Sequence, residues 1–181
     1  QLGIELDEKI IKKVTDRVIQ LGDKKEQVTM DDLPYIVADV LELAEIDQKV
    51  KIDNYNLSHA KGMKPVASVV LMIEGKKYET TSAGDGQYDA FMNALLKIYK
   101  EELNKILPRL IDYSVLIPPG GKSDALCETT ITWEMNREFK TRGVDTDQTF
   151  SAIKATEKML NLLENKPILQ ITQLQSLFTL A

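Results

Sequence analysis

The chain has 181 residues, of which 43% are hydrophobic and 28% are charged, a composition typical of a globular domain with its own core and not of a disordered chain. Its net charge of −5 argues against nucleic acid or an anionic membrane surface as the main partner. With one cysteine and one histidine, the chain by itself excludes a disulfide framework, a thiolate metal cluster and a metal site built from two histidines, and the lone cysteine suits a reducing, cytoplasmic location.

Two helices are predicted at the start of the chain. Asp7 is a suitable N-cap for the first helix, and Gly22 is a suitable end. Its apolar stripe has helical spacing and consists of Ile10, Ile11, Val14, Val18 and Leu21. The segment Thr29–Asp32 resembles a capping sequence for the second helix, and Pro34 fits the first turn, where its missing N–H costs little.

From Val50 onward the apolar pattern has a period of about two, and the same order of elements occurs twice. Strands are predicted up to Ser82, with a turn at Glu74–Lys77 and then a helix that ends at Pro108. A second helix, from Asp147 to about Leu163, is predicted after three further strands at Ile111–Ile117, Leu126–Glu134 and Glu138–Arg142. Sliding the sequence along itself superimposes the halves without a gap and matches Tyr78 with Phe139, Val70 with Ile131, Met72 with Trp133 and Ala94 with Ala155. This predicts an α+β fold of duplicated βββα units, with both helices on one face of a single sheet or with two packed layers.

The stretch Gly84–Asp89 carries the strongest local signal and supports two interpretations. Glycines before a helix expose backbone N–H groups at the positive end of the helix dipole, which suits a phosphate or a carboxylate. The other interpretation is a plain strand-to-helix turn in which Asp85 or Asp89 caps the helix. The spacing differs from the dinucleotide-binding fingerprint, and no parallel βαβ unit surrounds it.

The remaining motifs indicate no active site. The segment Pro118–Ser123 is interpreted as a connecting loop, because it lacks the first glycine of a phosphate loop. His59 is predicted in a surface loop, Cys127 in a buried strand and Trp133 in the core. The acidic residues show no spacing typical of a metal site or of a catalytic carboxylate pair, so no catalytic and no metal-binding residue is predicted.

The run Gly84–Ala90 resembles the G-x-G-P-V-D-A signature of the C-terminal regulatory domain of 2-isopropylmalate synthases and of their relatives, the citramalate synthases. The later segments Leu110–Tyr113, Ser123–Ala125 and Gly143–Asp145 agree in order and spacing, and the opening Leu2–Leu6 resembles the family's linker subdomain. This resemblance implies duplicated βββα units. It also implies a helical linker subdomain at 1–47, a regulatory domain at 48–165 with repeats 48–108 and 109–165, and a tail at 166–181 that is either a strand or a loosely held end.

The family condenses acetyl-CoA with a 2-oxo acid in a barrel that uses a divalent metal. The resemblance therefore implies that this chain, which begins at Gln1 and not at Met, is a non-catalytic fragment without a cofactor of its own. Implied partners are a second copy of the chain, the catalytic barrel and an end-product amino acid, leucine or isoleucine, but no nucleic acid and no membrane. Gln87-Tyr88 replaces the usual Pro-Val, which resembles the citramalate-type branch.

The implied effector site combines the glycine turn with the second repeat. Backbone N–H groups near Gly86 and Tyr88 and at Thr146 to Gln148 would hold a carboxylate, and Asp85 or Asp89 would accept from an ammonium group. An apolar slot would be walled by Tyr88, Leu110, Tyr113, Ile117, Ala125 and Cys127. Two alternatives stay open: a small enzyme that uses the glycine turn for a phosphorylated substrate, and a dimerisation module without a ligand.

Overall fold

The computed structural model describes residues 7–23, 33–44, 48–117 and 125–165. In chain order, the elements are α1 (Glu8–Gly22), α2 (Leu33–Ala44), β1 (Val50–Ser58), β2 (Val66–Ile73), β3 (Lys76–Ala83), α3 (Gln87–Lys97), β4 (Arg109–Leu116), β5 (Cys127–Glu134), β6 (Glu138–Asp145) and α4 (Gln148–Glu164). The predictions for four segments lie outside the described residues: the opening Leu2–Leu6, the capping sequence Thr29–Asp32, the loop Pro118–Ser123 and the tail. Of the segment Ser123–Ala125, only Ala125 is described.

The strands form two separate antiparallel sheets of three strands, in the orders β1-β2-β3 and β4-β5-β6. Each sheet is followed by a helix, so the α+β class and the repeated order of elements are confirmed. The alternative of one continuous sheet is wrong for the described strands. The helices α3 and α4 begin at Gln87 and Gln148, which have the same separation along the chain as the predicted match of Ala94 with Ala155.

The gap-free match between the halves is wrong for β2 and β5. In the first hairpin, Tyr78 pairs with Leu71 across a two-residue turn, and in the second Phe139 pairs with Trp133 across a three-residue turn. Six residues separate Leu71 from Tyr78, but only five separate Trp133 from Phe139, so the equivalence of these strands moves by one position and Trp133 corresponds to Leu71. Since side chains alternate along a strand, the shift of one reverses the face. Ile131 and Trp133 are therefore fully buried, whereas Val70 and Met72, which the match assigns to them, are only half-buried.

The turn of the first hairpin contains only two residues, Glu74 and Gly75. Glu74 and Gly75 both have positive φ, 48° and 82°, which is the backbone of the two-residue turns that match strand twist. The predicted turn Glu74–Lys77 is therefore narrower in the structure, and Lys76 already belongs to β3.

The helix of the first repeat ends earlier than Pro108. A π-helical turn, Ile98–Glu102, follows α3, and Leu103 N donates to Ile98 O. Asn104 then takes a left-handed φ of 49°, which breaks the helix. As a result Ile106, which lies within the range predicted to be helical, falls beyond the helix and is 79% exposed.

The two N-terminal helices pack against each other and onto β6 of the second unit. Asp7 caps α1 as predicted, since its Oδ1 accepts from Ile10 N at 2.8 Å. A small core joins Leu21 and Ile36 to Leu126 and Val144, but Ile11, predicted in the stripe, is exposed.

The main core spans both units and is formed largely by the inner faces of the sheets and by α3 and α4. The helix α4 also reaches the edge strand of the other sheet. Asn161 Oδ1 accepts from Val50 N and its Nδ2 donates to Val50 O, both at 2.8 Å, while Glu157 Oε2 accepts from Ile52 N at 2.7 Å. Side chains of the second unit thus occupy an edge that would otherwise be open for pairing.

Candidate functional site: the junction of the two units

The glycine turn is a tightly packed connection between β3 and α3. Asp89 Oδ2 accepts from Asp85 N at 2.8 Å and from Asn93 Nδ2 at 3.3 Å. A side chain at Gly84 would lie 2.3 Å from Ala90 N, so only glycine fits there. These contacts support a strand-to-helix turn, in which the Asp89 carboxylate holds the loop through Asp85 N. The prediction that Asp85 or Asp89 caps the helix is wrong, because the N-cap of α3 is Gly86.

The other residues of the turn differ in their surroundings. Asp85 is exposed and forms an ion pair with Lys64 at 3.0 Å. Gly86 is the N-cap of α3, with an extended backbone that any residue adopts. Asp85 therefore lies at the surface rather than inside a slot.

Tyr88 connects the two units. Its hydroxyl lies 2.7 Å from Thr156 Oγ1 on α4, and its ring centre lies 5.6 Å from that of Tyr113 on β4. Burial raises the pKa of Tyr88 far above its usual range, so the hydroxyl stays protonated. The structure thus brings together the two tyrosines that the sequence places in different repeats.

Tyr113 is half-buried at the centre of a polar cluster in the second unit. Burial raises its pKa, and hydrogen bonds with Gln148 and Thr129 partly offset that effect. The hydroxyls of Thr129 and Ser151 are 2.5 Å apart, and Cys127 Sγ lies 3.6 Å from Ser151 Oγ. Tyr113, Cys127 and Gln148 therefore lie around the same cluster.

Leu110 reaches the side of Tyr113 through an irregularity in β4. A bulge between Leu110 and Asp112 places Leu110 opposite Trp133 and Tyr113 opposite Ile131. In a regular strand, residues three apart lie on opposite sides of the sheet. The bulge inserts one extra residue, so Leu110 and Tyr113 lie on the same side, as do their cross-strand partners. Leu110 is 36% exposed, Ile117 beyond the strand is 60% exposed, and Ala125 is half-buried.

Backbone N–H groups in the segment before α4 donate to side chains of the same segment. Asp145 Oδ1 accepts from Thr146 N at 2.8 Å and from Asp147 N at 3.4 Å, and Asp147 in turn caps the helix through Phe150 N. The N–H group of Thr146, predicted to bind a carboxylate, is thus engaged within the protein. Asp145 is fully buried and forms an ion pair with Lys154.

Three residues of this region were missed by the sequence interpretation: Thr129, Ser151 and Thr156. Thr129 carried a signal, because it lies two positions after Cys127 in a strand and must share its face. Ser151 and Thr156 lie in a helix, and their role depends on which turn of α4 faces the other unit. Of the other motifs, His59 is exposed, Cys127 is buried, and Trp133 is fully buried with its Nε1 donating to Thr141.

Within the residues that the structure describes, no group of three His, Cys, Asp or Glu side chains has the geometry to hold a metal ion. Among the same residues, no helix has the length and apolar character needed to cross a membrane.

Comparison of the sequence with known proteins identifies a family. Residues 27–164 match the family model described as the LeuA allosteric (dimerisation) domain. A candidate (R)-citramalate synthase of Archaeoglobus fulgidus is 29% identical over 164 residues, which cover 90% of this chain and 32% of that protein. The 2-isopropylmalate synthase of Aquifex aeolicus is 29% identical, with coverages of 89% and 30%. That of Methanocaldococcus jannaschii is 31% identical, with coverages of 89% and 31%.

The chain spans about a third of the length of these relatives. The family model covers most of the two βββα units and α2, and the same region contains the contact between the repeats at Tyr88 and Tyr113. The chain therefore belongs to the LeuA allosteric (dimerisation) domain family.

Proposed function

We propose that this chain is the regulatory domain of an enzyme of the 2-isopropylmalate synthase type and that it binds a branched-chain end-product amino acid at the junction of the two units. The observation that carries the proposal is the convergence of Tyr88 from the first unit with Tyr113 and Gln148 from the second. The tyrosine rings offer an apolar wall, and the amide and hydroxyl groups offer partners for a zwitterion.

Both relative classes match this chain at nearly equal identity, so leucine and isoleucine are both candidate effectors. The parent enzyme would condense acetyl-CoA with a 2-oxo acid in the cytoplasm, using a divalent metal in a barrel. We assign no metal and no catalytic step to the residues described here. The helices α1 and α2 would be the linker subdomain between that barrel and the regulatory domain.

Calorimetric titration with leucine, isoleucine and valine tests ligand binding. We expect saturable heat from at least one of them. Tyr113→Ala should weaken its binding by tens-fold to hundreds-fold, since removing a large wall of a pocket costs about 2–4 kcal/mol. Gln148→Ala is the milder companion variant, because Gln148 is exposed and its loss should leave the melting temperature unchanged. No heat from any of the three amino acids would favour the second candidate, a dimerisation module without a ligand.

Dimerisation is part of the family description, and one surface of this chain suits it. The strand β4 lies at the edge of its sheet and carries the exposed apolar side chains Leu110 and Leu116. We propose that this edge contributes to the interface with a second copy. Sedimentation should give twice the chain mass of 20.4 kDa at micromolar concentration, and Leu116→Lys should shift the protein toward the monomer. A wild-type protein that sediments as a monomer would contradict the proposal.

A further inference from the structure

A cleft of about 270 Å³ lies between the first strand and the starts of the helices α3 and α4. It is lined by Tyr55, Asn56, Leu57, Gln87, Asp147, Thr149 and Phe150. The rings of Tyr55 and Phe150 meet edge to face with their centres 5.5 Å apart, and burial raises the pKa of Tyr55 to about 12. Aromatic walls with a few polar groups are typical of small-molecule sites, and the volume is near the lower end of their usual range of roughly 300–1,000 Å³.

Strand register shows that Tyr55 is the counterpart of Tyr113. Leu71 and Trp133 are equivalent, because each pairs with the aromatic residue at the start of the third strand of its unit. Two residues earlier on the same strands lie Val69 and Ile131, and their partners on the first strands are Tyr55 and Tyr113. Both tyrosines follow a bulge, which returns each of them to the core side of its sheet.

The helix starts supply the rest of the equivalence, since the first residues of α3 and α4 correspond. Together the correspondences are Tyr55 with Tyr113, Gln87 with Gln148, Asp147 with Gly86, Thr149 with Tyr88 and Phe150 with Asp89. Most of the residues that line the cleft therefore correspond to residues of the proposed effector site. Each tyrosine also contacts a ring at the start of the other unit's helix, at 5.5 Å between Tyr55 and Phe150 and at 5.6 Å between Tyr113 and Tyr88.

We propose that this cleft is a second small-molecule site, the internal-symmetry copy of the effector site, and that it binds an α-amino acid with an apolar side chain. The choice of ligand class rests on the function proposed above for the first site. The cleft is not a duplicate in detail, because Thr149 stands where Tyr88 fills space in the first site. Asp147 likewise adds a carboxylate where the first site has Gly86.

The carboxylate, amide and aromatic groups that line the cleft suit a zwitterionic ligand. Asp147 Oδ1 accepts from Phe150 N, and a carboxylate has further acceptor capacity, which an ammonium group would use. The amide groups of Asn56 and Gln87 donate to a ligand carboxylate. The ligand side chain packs against the rings of Tyr55 and Phe150, where the space left by a threonine admits a branched or aromatic group.

The matched pair Gln87→Ala and Gln148→Ala tests this assignment, since each variant changes one site and the two glutamines hold equivalent positions. The full chain, labelled with ¹⁵N, is titrated with leucine, isoleucine, valine and phenylalanine while backbone amide shifts are followed. We expect saturable shifts at Asn56, Gln87 and Thr149 that persist in Gln148→Ala. In Gln87→Ala, binding at the cleft should weaken about tenfold, the effect of one hydrogen bond to a charged group. Equal melting temperatures of the variants show that the fold is intact.

The two proposals fail separately in this experiment. If no amide around the cleft responds to any of the four amino acids, the second site is overturned, whatever occurs at Tyr113. If the cleft responds but Tyr113 and Gln148 do not, the second site stands and the effector site is misplaced. A response at the cleft that is unchanged in Gln87→Ala and in Thr149→Tyr, which refills the space, also overturns the assignment.

Discussion

The contact between Asn161 and the edge of β1 makes the stability of the first unit depend on the second. Val50 is fully buried, and both its N–H and its C=O are bonded to the Asn161 side chain at 2.8 Å. Replacing Asn161 with alanine leaves two backbone groups without these partners. Each unsatisfied buried group costs about 1–3 kcal/mol, so we expect the free energy of unfolding to fall by about 2–6 kcal/mol. That is a large share of the roughly 5–15 kcal/mol that a domain has in total.

Urea denaturation measures the total effect, and hydrogen exchange locates it. The Val50 amide should lose protection in Asn161→Ala, ahead of amides in the centre of β5. Asn54→Ala is the matched control, because Asn54 lies on the same strand and is exposed, and its loss should change stability by no more than about 0.5 kcal/mol. A loss below about 1 kcal/mol with unchanged exchange at Val50 would show that the side chain does not hold this edge.

Three further predictions concern packing and charge. Gly84→Ala should lower the free energy of unfolding by about 3 kcal/mol in thermal unfolding, because its Cβ would lie 2.3 Å from the backbone of α3. At Gly86 an added Cβ has no atom within 4 Å, so Gly86→Ala should cost at most about 1 kcal/mol. Equal losses in the two variants would refute the steric argument. Burial raises the pKa of Glu157 above its ordinary 4.5, so the folded state binds the proton more tightly and the free energy of unfolding falls as pH rises from 4.5 through the raised value. Glu157→Gln should remove this pH dependence and should be more stable than the wild type at pH 7. An unchanged pH dependence in a series of urea titrations would contradict this prediction. Lys158→Met should lower the free energy of unfolding by about 1–3 kcal/mol, because the buried Asp39 loses its 2.8 Å contact with Lys158 but keeps a 3.5 Å ion pair with Arg17. Adding Arg17→Met leaves Asp39 without either cation, so the double variant should lose more stability than the sum of the two single variants in urea titrations; additive losses would show that the charge of Asp39 is not the cause.

The positions of the secondary-structure elements were largely predictable because their signals are local. Caps, glycines and apolar period act within a few residues, and they located Asp7 as a cap and the start of α4 after Asp147. The helix of the first repeat was predicted too long. Its end depends on the π-helical turn at Ile98–Glu102, which has no strong sequence signal before Pro108.

The candidate site was predictable in part. Tyr88, Tyr113, Cys127 and Gln148 converge, but Asp85 lies at the surface in an ion pair. Asp89 and the N–H group of Thr146 are used inside the protein, which a sequence does not reveal, because a capping carboxylate and a ligand-binding one have the same residue type and spacing.

By itself, the sequence determined the composition class, the order of the elements, the duplication and the family, all of which depend on patterns along the chain. Only the tertiary structure decided which faces of the repeats are equivalent. The second hairpin has one residue fewer between its paired positions, which reverses the face of a strand relative to the gap-free match. The bulges in β1 and β4 lie at equivalent positions and put both Tyr55 and Tyr113 on the core side of their sheets. Tertiary structure also decided that Asn161 and Glu157 bond the edge of the other unit. Contacts between residues more than a hundred positions apart depend on how two sheets and two helices pack, and no local pattern encodes that packing.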